Sequence, residues 1–191
     1  MRYSWDRRLD FDATRRKLGD ALVSERQKVG EDPLVLRRLF YITVLLVQLI
    51  NGCRVSEAFQ GVEEWVATKS RETTVTVRKQ RKDPDERLVS IPPECLDEDL
   101  PDLYDALNWG ASLGATKMFA IDKMGFNTHS LRYAEISELS DRGVPLQVIA
   151  KLTHHRNVNF LVDYTNQRIA DAKLRELSAE GRPKPPAEGS T

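Results

Sequence analysis

His129, Arg132, His154, His155 and Tyr164 fall within 36 residues near the C-terminal end of a 191-residue chain. Twenty-three positions separate Arg132 from His155, and nine separate His155 from Tyr164. Far upstream, Asn51-Gly52-Cys53-Arg54-Val55-Ser56-Glu57-Ala58 adds a second arginine and a carboxylate. Guanidiniums clamp phosphoryl oxygens with planar, permanently charged forks. Imidazoles donate and accept protons near neutral pH, and a phenol becomes a nucleophile when its surroundings activate it. Such a set could break a phosphodiester without a metal.

Taken singly, each group also has a plain structural reading. Arg54 and Glu57, three residues apart, share one helical face, and Glu57 could orient Arg54 or simply salt-bridge it at a helix start. His129 and Arg132 lie in one first helical turn, where the macrodipole favours an anion; a capping histidine beside a solvated arginine would read the same way. Adjacent residues do not face each other on a helix, so His154 and His155 cannot point equally into one site. With no nearby cysteines, that pair makes a poor zinc site. Tyr164 by itself is an ordinary core tyrosine. Arg78, Lys79, Arg81 and Lys82 form either a solvated charge run or a basic tip that enters a DNA groove.

The elements that must position these groups are mainly helical. A helical pattern runs from about Ala13 to Val29, after a charged lead-in over residues 1–12. Asp32-Pro33 supplies an N-cap and a first-turn proline, and Leu34 to Ile50 is apolar almost all round, as a buried central helix is. Gly52 breaks it, and a short helix starts near Val55-Ser56. The β-branched runs Thr73–Val77 and Arg87–Ile91 flank the basic segment and predict a small antiparallel hairpin or three-stranded sheet. An acidic helix over Asp97 to Leu113 is followed by a loop through Gly125. Helices then run from Thr128 to Asp141, from Pro145 to about Thr153, and from Asn157 through Tyr164. A last short helix covers Ile169 to Ser178, and residues 181–191 read as a disordered tail. The fold class is α+β, mainly α-helical.

Composition sets outer bounds. Hydrophobic residues make up 40% and charged residues 30%, with 29 basic and 29 acidic side chains. A balanced total does not favour nucleic-acid binding, but residues 96–128 carry two basic and six acidic groups against seven and five in 129–175. A basic face can therefore sit opposite an acidic one. Cys53 and Cys95 form neither a metal spacing nor a disulfide framework, so a cytoplasmic location is the default. Arg2, Asp6, Arg7 and Arg8 interrupt any signal peptide. The longest apolar run, Leu39 to Ile50, is too short to span a bilayer.

In order and spacing, these motifs resemble the tyrosine recombinase, or phage integrase, family. Its boxes stand here as Gly52-Cys53-Arg54-Val55-Ser56-Glu57, a hairpin lysine at Lys79, His129-Ser130-Leu131-Arg132, Leu152-Thr153-His154-His155, and Tyr164 nine positions on. Leu131-Arg132-Tyr133-Ala134 and Asp163-Tyr164-Thr165-Asn166 also look like family sequence. The resemblance covers Leu34 to Ser178. It departs from the pattern at His154, where the family has glycine, so the turn there must differ or be strained. Lys82 competes with Lys79 for the hairpin position. The residues before Leu34 are too few for the family's usual N-terminal DNA-clamping domain. The expectation is thus a single catalytic domain over 1–180 without a core-binding domain.

The resemblance implies that Tyr164 attacks a scissile DNA phosphate to form a 3′-phosphotyrosyl link, with no metal or nucleotide cofactor. It implies that Arg54, Arg132 and His155 hold the phosphoryl oxygens and that His129 assists proton transfer. Lys79 would protonate the leaving oxygen, and Glu57 would orient Arg54. Arg78, Arg81, Lys82 and Arg156 would contact double-stranded DNA. Assembly would be tetrameric on DNA from a free monomer, with Ala170, Leu174 and Leu177 as a docking stripe. A type IB topoisomerase-like relaxing enzyme and a non-catalytic DNA-binding module share enough of these features to stand as alternatives.

Overall fold

The computed structural model describes residues 9–30, 32–77, 85–155, 158, 159, 161, 174, 175, 177 and 178. Helix α1, Phe11–Arg26, begins inside the expected lead-in, because the Asp10 side chain accepts from Ala13 N at 2.7 Å and caps it. Helix α2, Pro33–Asn51, is capped by Asp32 as expected. It is the central element and packs against α1 and four later helices. Leu39, Phe40, Leu45, Leu46 and Leu49 on it are fully buried, each worth about 1.5–3 kcal/mol of apolar burial before ordering entropy is counted. By length and composition α2 could cross a membrane, but 72% of Leu34–Asn51 is buried inside the protein.

Helix α3 spans Val55–Thr68 and is longer than the short helix the sequence suggests. It lies on the sheet through Gly61, where a Cβ would stand 2.8 Å from a Val89 methyl. Strands β1, Glu72–Val77, and β2, Asp85–Ser90, form an antiparallel hairpin; among the described residues the sheet has two strands, not three. The register pairs Val77 with Asp85, Val75 with Arg87 and Thr73 with Val89. Those alternate positions place Val75, Val77 and Val89 on the buried face, and Arg87 with them. Asn51 pins the hairpin to the end of α2: its amide donates to Ser90 O at 2.8 Å and accepts from Ser90 N at 2.9 Å.

A 3₁₀ turn at Asp97–Asp99 leads into α4, Leu100–Asn108. The expected loop before Gly125 is instead a further helix, α5, Leu113–Asp122, with Ser112 as N-cap. Its apolar residues are spread around the axis and Met118 and Ile121 are exposed, so helical periodicity does not stand out there. Helix α6, Thr128–Asp141, has the expected limits, and α7 covers Leu146–Leu152.

Most of the core surrounds α2. A second, smaller cluster joins Ile136 of α6, Ile149 and Ala150 of α7, and Leu161 beyond it. Leu174 and Leu177 are helical and exposed. The lead-in before residue 9, the 181–191 tail, Ala170, and most of the last two expected helices lie outside the described residues.

Candidate active site

Three chain breaks converge beneath the hairpin: the α2–α3 junction, the start of α6 and the end of α7. Gly52 closes α2 in a left-handed conformation, φ 55°. A Cβ there would stand 3.1 Å from both Glu135 Cγ and Thr153 Cγ2, so glycine also lets α6 and the α7 end close on the turn. Gln48 then ties two of the junctions together. Its amide donates to Cys53 O at 3.2 Å and to Thr128 O at 2.8 Å.

Arg54 is the N-cap of α3, and Glu57 sits one turn in. One Glu57 oxygen accepts from Arg54 N at 3.0 Å, and the other from Arg54 Nη1 at 2.8 Å. The predicted orienting pair is therefore present, and Glu57 doubles as the reciprocal half of a helix cap. Glu57 has a further partner that sequence reasoning did not find. Arg87 Nη1 donates to its Oε2 at 3.1 Å, while Arg87 Nη2 donates to Asn51 O and Leu152 O, both at 2.8 Å. A buried arginine thus joins the ends of α2 and α7 to the start of α3. The available signal was parity: Arg87 shares the strand face of Val89 and Ile91. Burial would push the Glu57 carboxyl up, but the Arg54 backbone and side chain and then Arg87 hold it below its ordinary value.

Arg132 is buried at 4% exposure on α6 and reaches the α7 end. Its Nη2 donates to Thr153 O at 2.5 Å and lies 3.2 Å from the His155 ring nitrogens. Its Nη1 is buried with no hydrogen-bond partner among the described residues. Burial first, and then repulsion from Arg54 and Arg87, lower its pKa to about 10, so it stays charged at neutral pH.

The turn after α7 explains the two histidines. His154 N bonds to Lys151 O at 3.2 Å and His155 N to Ala150 O at 2.9 Å, the pattern of a left-handed C-terminal cap. His154 takes the left-handed position, φ 52°. Of the two expected outcomes, a different turn or a strained one, the structure has the second: the turn keeps the glycine geometry with a strained histidine in it. The two rings part as expected: His154 turns to Asp85, 2.8 Å away, and His155 turns to Arg132.

Thr153 Oγ1 lies 2.6 Å from Ile149 O and 2.7 Å from His155 Nδ1. Its one proton goes to the carbonyl, so it accepts at Nδ1; this assigns the His155 proton to Nδ1 and leaves Nε2 as the acceptor facing Arg132. Burial, then Arg132, Arg54 and His129, lower the His155 pKa to about 4. His155 is neutral at neutral pH.

His129 is exposed in the first turn of α6, its ring 5.7 Å from that of Tyr133. It is near enough to His155 to help lower that ring's pKa. Tyr164, Lys79, Arg78, Arg81, Lys82 and Arg156 lie outside the described residues. Among the described residues no group of three or more His, Cys, Asp and Glu side chains is arranged to hold a metal ion.

Arg54 and Arg87 therefore share one ionised carboxylate, and Arg132 lies close enough to feel its charge. That leaves excess positive charge in a partly dry site, with Arg54 as its most open member at 28% side-chain exposure against 4% for Arg87. Such a site suits an anion with several oxygens.

No family model matches the chain, and no solved structure does. Among curated proteins it is 31% identical over 200 residues to an uncharacterized protein of Methanocaldococcus jannaschii, covering 91% of this chain and 89% of the relative. It is 29% identical over 175 residues to a protein of Acidianus two-tailed virus named "Putative integrase ORF241", covering 92% of this chain and 69% of the relative. It is 30% identical over 157 residues to "Putative integrase V10" of Sputnik virophage, covering 70% of each chain. With this identity spread over most of both chains, and with its charged residues gathered into an anion site, the chain belongs to the integrase-like family of these viral proteins.

Proposed function

We propose that the chain breaks and rejoins DNA as a tyrosine-type site-specific recombinase. The observation that carries this reading is the pairing of Arg54 and Arg87 with the single carboxylate of Glu57, with Arg132 and a neutral His155 in contact alongside. Arg87 and Glu57 pair with each other in the interior. Arg54, at the site's open edge, and the unpaired Nη1 of Arg132 are left to meet a phosphodiester.

In this reading the Tyr164 phenolic oxygen attacks the scissile phosphorus as its proton passes to a neighbouring base, with His129 as the candidate. The bond from phosphorus to the 5′-oxygen breaks, and Lys79 protonates the departing oxygen. The phosphoryl oxygens gain charge in the transition state, and the two guanidiniums stabilise that charge electrostatically. The 3′-phosphotyrosyl link retains the bond energy, so a second 5′-hydroxyl can reverse the step. Arg78, Arg81, Lys82 and Arg156 would hold the DNA backbone. Strand exchange between two duplexes would bring four copies together on DNA.

The test is a library of nicked duplexes of random sequence incubated with the full chain. The expected product is a denaturation-resistant protein–DNA adduct carried on the 3′-phosphate and absent from Tyr164→Phe. No adduct from the wild type, or an equal adduct from Tyr164→Phe, would sink the proposal. Relaxation of any supercoiled plasmid irrespective of sequence would reassign the same chemistry to a topoisomerase-like role.

A further inference from the structure

We infer that His154 is a positioning residue that locks the loop end of the hairpin to the turn carrying His155. Left-handed backbone is a position for glycine, yet a histidine holds it at φ 52°. What the histidine gains, and glycine could not supply, is a side-chain bond: Nδ1 lies 2.8 Å from Asp85 Oδ2. A neutral ring with its proton on Nδ1 makes this bond, so no charge on His154 is needed.

Asp85 is the first residue of β2 and pairs with Val77, the last residue of β1. The bond therefore lands at the loop end of the hairpin, where residues 78–84 connect the strands. Two residues along β2, Arg87 donates to Leu152 O, two residues before His154. Alternate residues on β2 thus grip alternate residues at the end of α7. Arg87 is buried, and its bonds to Asn51 and Glu57 hold it there regardless of His154. Asp85 itself is 43% exposed in its side chain. His155 follows directly and contacts Arg132, so the bond ties the frame of the anion site to the frame of the hairpin.

The consequence for catalysis rests on the recombinase reading, in which the hairpin carries the leaving-group lysine. Hairpin strand and phosphate clamp come from separate elements, and the Asp85–His154 bond ties one to the other. His154→Gly then relieves the backbone while breaking the lock. It is expected to melt no lower than the wild type, while the β2 amides of residues 85–87 exchange with solvent about tenfold faster, as loss of one charge-assisted hydrogen bond allows. Its rate of adduct formation on the nicked-duplex library is expected to fall about tenfold, the scale of a small misplacement of a catalytic group. Asp85→Ala should reproduce both effects, and His154→Asn should restore both, because asparagine tolerates the left-handed position and its amide can donate to Asp85.

The exchange measurement needs no DNA, so it tests the lock even if the wild type forms no adduct, an outcome that would count against the recombinase reading alone. Wild-type exchange at residues 85–87 in both His154→Gly and Asp85→Ala would overturn the lock. Faster exchange with an unchanged adduct rate would overturn the positioning role. If His154→Gly fails to fold, Asp85→Ala alone decides both points, since it leaves the turn's backbone untouched.

Discussion

Arg87 Nη1 lies 3.1 Å from Glu57 Oε2, and both side chains are almost completely buried. A buried ion pair of this kind gives little net stability against an apolar replacement, but removing one partner strands the other. Glu57 has the larger burden, because its neutralisation leaves Arg54, Arg87 and Arg132 facing one another. Glu57→Ala is expected to destabilise the protein by about 3–5 kcal/mol, measured by urea denaturation. The lowered pKa of Glu57 adds a pH signature. Its stabilisation is present above the ordinary carboxylate value of 4.5 and is lost as pH falls through the lower folded value.

Arg87 serves three acceptors on three different segments with one planar fork. Lysine keeps the charge but not that geometry. Arg87→Lys is expected to leave at least one buried carbonyl, Asn51 O or Leu152 O, without a donor, costing about 1–3 kcal/mol. Chemical denaturation measures the loss, and an unchanged midpoint would show that lysine reaches all three acceptors.

Gly52 combines a left-handed φ with close neighbours on two sides. Gly52→Ala is expected to destabilise by about 1–3 kcal/mol from backbone conformation alone, with a further loss as Glu135 and Thr153 are pushed away. Because Thr153 carries the acceptor of Arg132, phosphate affinity measured by titration should fall as well.

His155 is neutral in the free protein, and its Nε2 lone pair faces Arg132. An anion between Arg54 and Arg132 would weaken the repulsion that lowers the His155 pKa, so binding should draw a proton onto the ring. Inorganic phosphate or sulfate is expected to bind more tightly as pH falls from 7 toward 4, with net proton uptake seen as buffer-dependent heat in calorimetry. His155→Gln should abolish this uptake while leaving Arg54 and Arg132 in place.

Glu135 and His155 pull stability in opposite directions with pH. Burial raises the Glu135 pKa from 4.5 to about 7, so its contribution is lost as pH rises between those values. The His155 pKa falls from 6.5 to about 4, so its contribution is lost as pH falls across that range. Glu135→Gln is expected to remove the loss on the alkaline side, making stability rise with pH between 4.5 and 7. Denaturation midpoints across that range check the sign.

Much of the local structure was legible in the residues themselves. The apolar run of α2, its Asp32 cap, the limits of α6 and the Arg54–Glu57 pair depend on neighbours within a turn or two, and helical spacing alone brings them together. The divergence of His154 and His155 was legible too, because adjacent side chains must part, and one ring faces Asp85 while the other faces Arg132. Helix α5 escaped notice because its apolar residues do not gather on one face.

The sequence by itself determined that a chain of helices around α2 would carry two arginines, histidines and a tyrosine in a fixed order. The tertiary structure alone decided that Arg87 reaches from the strand's buried face to Glu57, that Glu57 serves two arginines, and that His154 occupies a glycine's conformation while holding Asp85. Residues 30 to 69 positions apart make these contacts. Their existence depends on where α2, β2 and α7 end in space, a relation set by packing around the core and not by any local pattern of residues.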